Sequence, residues 1–254
     1  DSHIFCTRDQ LADEVSGVLD LMDTLLHTFG YEYTCYLSTR PHGKSIGSDE
    51  EWTFATAALR QALERRSMPQ EADEGGGAFY APKIDVKLED ALGRRWQCPT
   101  IQVDLNLPKR FQVRYSGSDS KEHEVVMVHR ALLGSMERFV GIYIEHTGGE
   151  FPVWLAPTQV AVIPANPKAL DYAADTGRML KEGGVRAEVD LRDEKLAAKI
   201  RDAELEKVPY MVVVGPREAE AGTVAPRRKG QGQLEPMTRQ AFLERVRRES
   251  AERS

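Results

Sequence analysis

The order of apolar runs after residue 158 narrows the fold more than any other feature of this chain. Residues 159–163, 185–189 and 210–214 are short apolar runs that read as strands. Two stretches of helical length separate them. The first opens at Asn166-Pro167, a cap followed by proline in the first turn, and stops at Gly183-Gly184. The second runs from about residue 193 to residue 206. Strands joined by helix-length connections lie parallel, so this part predicts a small α/β domain with a mixed, largely parallel sheet covered by helices.

The chain before Pro157 follows a different rule. Thr7 and Gln10 form a capping box, and Leu11, Val15, Val18, Leu19, Met22, Leu25, Leu26 and Phe29 then recur at helical spacing up to a stop at Gly30. Residues 31–39 alternate as a strand. A second capping box, Ser48 to Glu51, opens a helix with Trp52, Ala55, Leu59 and Leu63 on one face. Pro69 and the run Glu74-Gly-Gly-Gly77 read as a loop. Residues 78–87, 94–104 and 111–116 are strand-like and separated by short turns at Gly93 and Pro108, which predicts an antiparallel meander. Another strand spans 124–129, and Gly134-Ser-Met-Glu-Arg138 leads into a helix with Phe139, Val140, Tyr143 and Ile144 on its apolar face. The expected architecture is α+β, an antiparallel sheet with flanking helices, followed by the α/β domain. The boundary falls near 152–158, giving domains 1–156 and 157–254.

Composition sets the setting. No apolar run approaches the ~18 residues of a membrane helix, and Cys6, Cys35 and Cys98 cannot close a disulfide framework, so a reducing, cytoplasmic location is expected. The net charge of −6 is uneven: residues 1–156 hold 16 basic and 24 acidic side chains, whereas 157–254 hold 18 and 16. Arg227-Arg228-Lys229 and Arg245, Arg247 and Arg248 read either as a footprint for a polyanion or as an ordinary solvated face. His3, Cys6 and His129 are metal-ligand types at a spacing that matches no local zinc motif. Arg138 opens a helix, where the macrodipole disfavours a guanidinium unless it serves a phosphate or an adenine face. Tyr80 and Lys83 flank a proline bend that is suited to presenting polar groups to a cleft.

Six strings in fixed order resemble the threonyl-tRNA synthetases, a family of class II aminoacyl-tRNA synthetases. They are Ser2-His-Ile-Phe-Cys-Thr7, Ser45-Ile-Gly-Ser-Asp-Glu-Glu-Trp52, Ala78-Phe-Tyr-Ala-Pro-Lys-Ile-Asp85, Trp96-Gln-Cys-Pro-Thr-Ile-Gln-Val-Asp104, His129-Arg-Ala-Leu-Leu-Gly-Ser-Met-Glu-Arg-Phe139 and Phe151-Pro-Val-Trp-Leu-Ala-Pro157. The resemblance covers essentially the whole chain. It implies activation of L-threonine with ATP and Mg2+ to an adenylate, followed by transfer to threonine tRNA, in a homodimer without membrane association. It implies that His3 and His129 are two of three zinc ligands, the third lying outside this chain, and that Asp1 reads the threonine hydroxyl. Tyr80, Gln97 and Gln102 match the amino-acid and adenylate pocket. Ser135 and Arg138 match the third class II motif, where the arginine packs on adenine and faces the phosphates. The second domain resembles the anticodon-binding domain of class II synthetases, with Lys195, Arg201, Glu218 and Arg227 at positions that contact anticodon bases or nearby phosphates.

The same resemblance implies a C-terminal part of such an enzyme, because the family's upstream zinc cysteine, first motif and motif-two arginine have no counterpart among these residues. Nothing in the sequence supports Cys6 or Cys98 as a substitute donor. No editing domain is recognisable here, and Ala81 and Pro99 stand where glycine is common. The 254 residues alone are therefore expected to be inactive. The alternative is a noncatalytic tRNA-binding fragment or paralogue that keeps the anticodon domain.

Overall fold

A computed structural model describes residues 1–253 and divides into two compact units, one ending at His146 and the other beginning at Thr147. The first unit contains β1 (Ser2–Cys6), α1 (Leu11–Thr28), β2 (Tyr33–Ser38), α2 (Asp49–Arg65), β3 (Gln70–Asp73), β4 (Lys83–Glu89), β5 (Arg95–Asp104), α3 (Asn106–Arg110), β6 (Arg114–Ser116), β7 (Glu122–Glu124), β8 (Val126–Ala131) and α4 (Met136–Thr147). Its main sheet has the order β1-β8-β5-β4-β2-β3; every pairing is antiparallel except β2 with β3.

Strand periodicity explains why one face of this sheet is dry. Ile84, Val86 and Leu88 of β4, Ile101 and Val103 of β5 and Val128 of β8 are buried, and α1 and α2 pack against these strands. Helix α1 presents Leu11, Val15, Val18, Leu19, Met22 and Leu26 to the core at the spacing read from the sequence. Burying each such leucine is worth about 1.5–3 kcal/mol. Residues between the apolar ones along β4 and β5 point the other way, and that face carries the polar side chains.

Both capping boxes form, with different consequences. Ser48 accepts from the Glu51 amide while the Glu51 carboxylate accepts from the Ser48 amide, and α2 starts there. Thr7 and Gln10 make the same reciprocal pair at 3.0 and 3.4 Å, but it closes the turn before α1, which begins at Leu11.

Three expectations need correction. The meander does not continue into residues 111–116. The Asp104 carboxylate accepts from the amides of Asn106 and Leu107, which starts the short helix α3 and turns the chain off the sheet. Strand β6 then pairs only with β7, in a separate hairpin. The glycine-rich loop 69–77 contains β3, which returns from α2 to lie parallel to β2 as an edge strand. The strand expected from residue 78 starts only at Lys83, after Pro82, whose nitrogen has no hydrogen to donate to a ladder.

The second unit contains β9 (Val160–Pro164), a single 3-10 turn at Pro167–Ala169, α5 (Leu170–Glu182), β10 (Ala187–Val189), α6 (Leu196–Leu205), β11 (Tyr210–Val214), α7 (Pro216–Ala221), β12 (Thr223–Arg228), β13 (Gly232–Gln233), β14 (Met237–Thr238) and α8 (Arg239–Glu252). Strands β10, β9 and β11 are parallel, and β12 is antiparallel to β11, so the sheet is mixed as expected. Val160 and Val162 enter one core with Leu180, Tyr210, Phe242 and Val246, while Ala161 and Ile163 enter the opposite core with Ala203 and Met211. Burial on both faces is why β9 has no polar alternation. Asn166 caps the 3-10 turn with Pro167 behind it, and Gly183 ends α5. Among the described residues no helix is long and apolar enough to cross a membrane.

The α2 box makes a measurable contribution. Ser48→Ala removes an acceptor for one helix amide and is expected to lower stability by about 1 kcal/mol. A shift of the urea midpoint at unchanged slope would register it.

Candidate functional site

The register of the first sheet builds one polar row across six strands. Directly paired residues run His3, His129, Gln102, Lys83, Ser38 and Asp73, from β1 to β3. Paired residues share a face, so two histidines 126 positions apart in sequence become neighbours. Their ring centroids lie 4.6 Å apart, edge to face. The Asp1 carboxylate lies 3.7 Å from His3 Nε2, and one ligand atom from each of Asp1, His3 and His129 falls within 4.8 Å of the others. Asp104, fully buried, meets His129 Nε2 at 3.0 Å. That contact occupies one ring nitrogen and leaves the other for a metal, the arrangement that orients ligating imidazoles. Two imidazoles so placed are donor types that suit a zinc ion, with the Asp1 carboxylate beside them.

Tyr80 closes one side of this cluster. Its ring centroid is 6.1 Å from that of His129, and its hydroxyl donates to Gln102 Oε1 at 2.6 Å. Burial, and then the Asp104 charge, push the Tyr80 hydroxyl pKa up. Asn106 fixes this segment by donating to the Tyr80 carbonyl at 2.8 Å.

Farther along the same face, buried Asp85 gathers Lys83, Gln97 Nε2 at 2.6 Å and Thr100 Oγ1 at 2.9 Å. Arg138, in the first turn of α4, donates to the Gln97 carbonyl at 2.9 Å, and its amide donates to Ser135 Oγ at 3.2 Å. Two guanidiniums lie over the Trp96 ring, Arg138 at 5.8 Å and Arg94 at 5.6 Å from its centroid. Trp96 Nε1 donates to Asp90 at 2.8 Å. Burial would push the Asp90 carboxyl up. Hydrogen bonds from Trp96, from the Arg94 amide and side chain and from the Leu92 amide outweigh it and hold the group well below the usual carboxylate range. Gly134 makes the approach of α4 possible: φ is +70°, and an added Cβ would lie 2.5 Å from the Cys98 carbonyl oxygen.

The cysteines take no part in the Asp1–His3–His129 cluster. Cys6 lies at the other end of β1, opposite Val126, and Cys98 is buried beneath Gly134. Burial pushes the thiols up, to about 11 for Cys6 and about 12 for Cys35.

In the second unit the four singled-out residues are spread over the domain. Lys195 caps the N-terminus of α6 and Glu218 sits in the first turn of α7, where its carboxylate accepts from the Gly215 amide at 2.8 Å. Arg201, exposed, pairs with Asp202. Arg227 stands on β12 opposite Met211, near the start of β11, and pairs with Glu204 at 3.3 Å. Lys195 and Glu218 therefore follow the C-terminal ends of parallel strands, whereas Arg227 lies toward the other end.

Comparison with known families supplies the decisive observation. Residues 1–147 match the tRNA synthetase class II core domain (G, H, P, S and T), and residues 159–249 match the anticodon binding domain. The chain belongs to the class II tRNA synthetases. A threonine–tRNA ligase from Aquifex aeolicus is 52% identical over 245 residues, which is 96% of this chain and 38% of that relative. One from Acetivibrio thermocellus is 50% identical over 246 residues, 97% of this chain and 39% of the relative. The solved RNA binding domain of threonyl-tRNA synthetase from Cryptosporidium parvum superimposes with a TM-score of 0.91 at 36% identity, covering 97% of this chain and 62% of that one. The chain thus spans about 39% of the length of the curated relatives it matches.

Within this synthetase core, sequence reasoning overlooked Asp104, Asp85, Asp90 and Trp96, which position the residues it singled out. The period-two pattern of β5 carries a signal for the first: Thr100, Gln102 and Asp104 alternate with Ile101 and Val103. The synthetase core also depends on Gly134. Gly134→Ala combines a left-handed backbone with a collision and is expected to cost about 1–3 kcal/mol. Thermal denaturation of the purified chain measures it.

Proposed function

We propose that this chain carries the amino-acid and ATP sites and the anticodon-binding domain of a cytoplasmic, homodimeric threonine–tRNA ligase. The observation that supports it most is the sheet register that brings His3 and His129 together beside Tyr80 and Gln102, in a chain about 50% identical to threonine–tRNA ligases. In the reaction a threonine carboxylate oxygen attacks the α-phosphorus of Mg2+-bound ATP and pyrophosphate leaves; a hydroxyl of the terminal ribose of threonine tRNA then attacks the threonyl carbonyl and AMP leaves. Positioning and charge neutralisation dominate such a step.

The residue roles follow from this reading. His3 and His129 hold the zinc ion, with a third ligand from outside this chain. Asp1 accepts a hydrogen bond from the threonine hydroxyl. Tyr80 and Gln102, tied to each other, wall the amino-acid pocket, and Gln97, Ser135 and Arg138 line the adenylate side. Bound zinc supplies a Lewis-acidic position for the substrate's amino and hydroxyl groups. Valine is nearly isosteric with threonine, and an apolar pocket separates such a pair by only ~100-fold, whereas a site that uses the hydroxyl leaves valine's partners unsatisfied. Arg138 faces the ATP phosphates, steadied by the Gln97 carbonyl. Lys195, Arg201, Glu218 and Arg227 contact the anticodon, whose unpaired bases expose hydrogen-bonding edges.

The test separates these roles in the longer enzyme. His129→Ala is expected to lose the roughly one zinc per chain, and Asp104→Asn to weaken zinc binding about 10–100-fold. Asp1→Asn should retain zinc but lose discrimination between threonine and valine. Normal zinc content in His129→Ala would overturn the metal assignment. Arg138→Ala should reduce threonine-dependent ATP–pyrophosphate exchange by at least ~100-fold, and exchange at the parent rate would remove Arg138 from the ATP site. Binding of threonine tRNA with no exchange would favour the noncatalytic alternative.

A further inference from the structure

The basic run that the sequence offers to a polyanion is already engaged, one side chain at a time, by carboxylates from three different elements. Arg227 Nη1 pairs with Glu204 of α6 at 3.3 Å, Arg228 Nη1 with Glu249 of α8 at 3.3 Å, and Lys229 Nζ with Glu150, upstream of β9, at 3.1 Å. Glu204 and the three cations border a cleft of about 430 Å³ whose floor includes buried Val208 and Met211.

The three pairs differ in kind. Glu249 is buried and also accepts from the Tyr210 hydroxyl at 2.7 Å and from Arg245 Nε at 3.2 Å, so it anchors Arg228 to the domain core. Glu204 and Glu150 are half exposed, at 46% and 55% of their side chains, and each holds its cation by a single contact. Exposed pairs of this kind are weak and easily exchanged for another anion. A phosphate arriving at Arg227 or Lys229 replaces a carboxylate that was already there, so its net gain is small. An RNA that also makes base contacts recovers more.

We propose that Glu204 and Glu150 hold down the affinity of this cleft for RNA, so that backbone charge alone does not retain a ligand there. Their carboxylates occupy Arg227 and Lys229 in the free chain, which suppresses binding by backbone charge alone. Any RNA that uses these cations displaces the carboxylates, and further contacts are what keep it bound. The inference rests on the reading that this unit binds threonine tRNA through Arg227.

The experiment uses the full 254-residue chain and fluorescence anisotropy at several salt concentrations. Its two probes are threonine tRNA and the same tRNA with an altered anticodon. The double variant Glu204→Gln, Glu150→Gln is expected to bind both RNAs about fivefold more tightly, because each is relieved of the same displacement cost. The logarithmic salt slope should steepen by roughly one per freed cation. Unchanged or weaker binding of either RNA by the double variant overturns the proposal. Arg227→Ala in the unmodified chain separates the two ideas: if it leaves binding of threonine tRNA unchanged, the reading of this unit as the anticodon contact fails, not the competition between carboxylate and phosphate.

Discussion

The Asp104 carboxylate ties the fold of the first unit to its site. It is fully buried, and a buried carboxylate is costly unless its oxygens are bonded. One oxygen accepts from the amides that open α3 and the other meets His129. The same group therefore ends the β4–β5 meander, sends the chain off the sheet and sets the imidazole that faces His3. Its charge also pushes the nearby Tyr80 hydroxyl pKa up, in the direction that burial already favours. A change at this position would alter the topology and the site together.

The two units bury their sheets differently, and this decides where chemistry can sit. In the first, helices α1 and α2 cover one face and polar residues occupy the other, which leaves a row from His3 to Asp73 available for a ligand. In the second, both faces of β9 are packed, so functional groups are confined to strand ends, helix starts and the β12 edge. A double-wound sheet offers loops, and a half-covered antiparallel sheet offers a surface.

Much of the secondary structure was legible because its causes are local. The Ser48–Glu51 box, the Asn166-Pro167 cap and the five-residue apolar strand Tyr210–Val214 lie where the residue pattern puts them. Strands β1 and β3 were not, since edge strands of four or five residues carry too short a pattern and depend on partners far away in sequence. The candidate site was legible only in part. Tyr80 and Arg138 stood out by their local settings, Gln97, Gln102 and Ser135 only through family resemblance, and the aspartates beside them were passed over, because a buried carboxylate looks like any other acidic residue until its donors are known.

By itself the sequence determined the two architectures, their order and the residue types available for chemistry, because periodicity and capping act over a few residues. The tertiary structure alone decided the juxtapositions. Residues 3 and 129 meet through strand register, and Trp96 reaches Arg138 because Gly134 lets α4 close on β5. It also decided the electrostatic state of the basic run at 227–229, where charge count suggested an open cationic patch and packing supplied a carboxylate for each cation. Such pairings are set by the distances between elements, which no local pattern records.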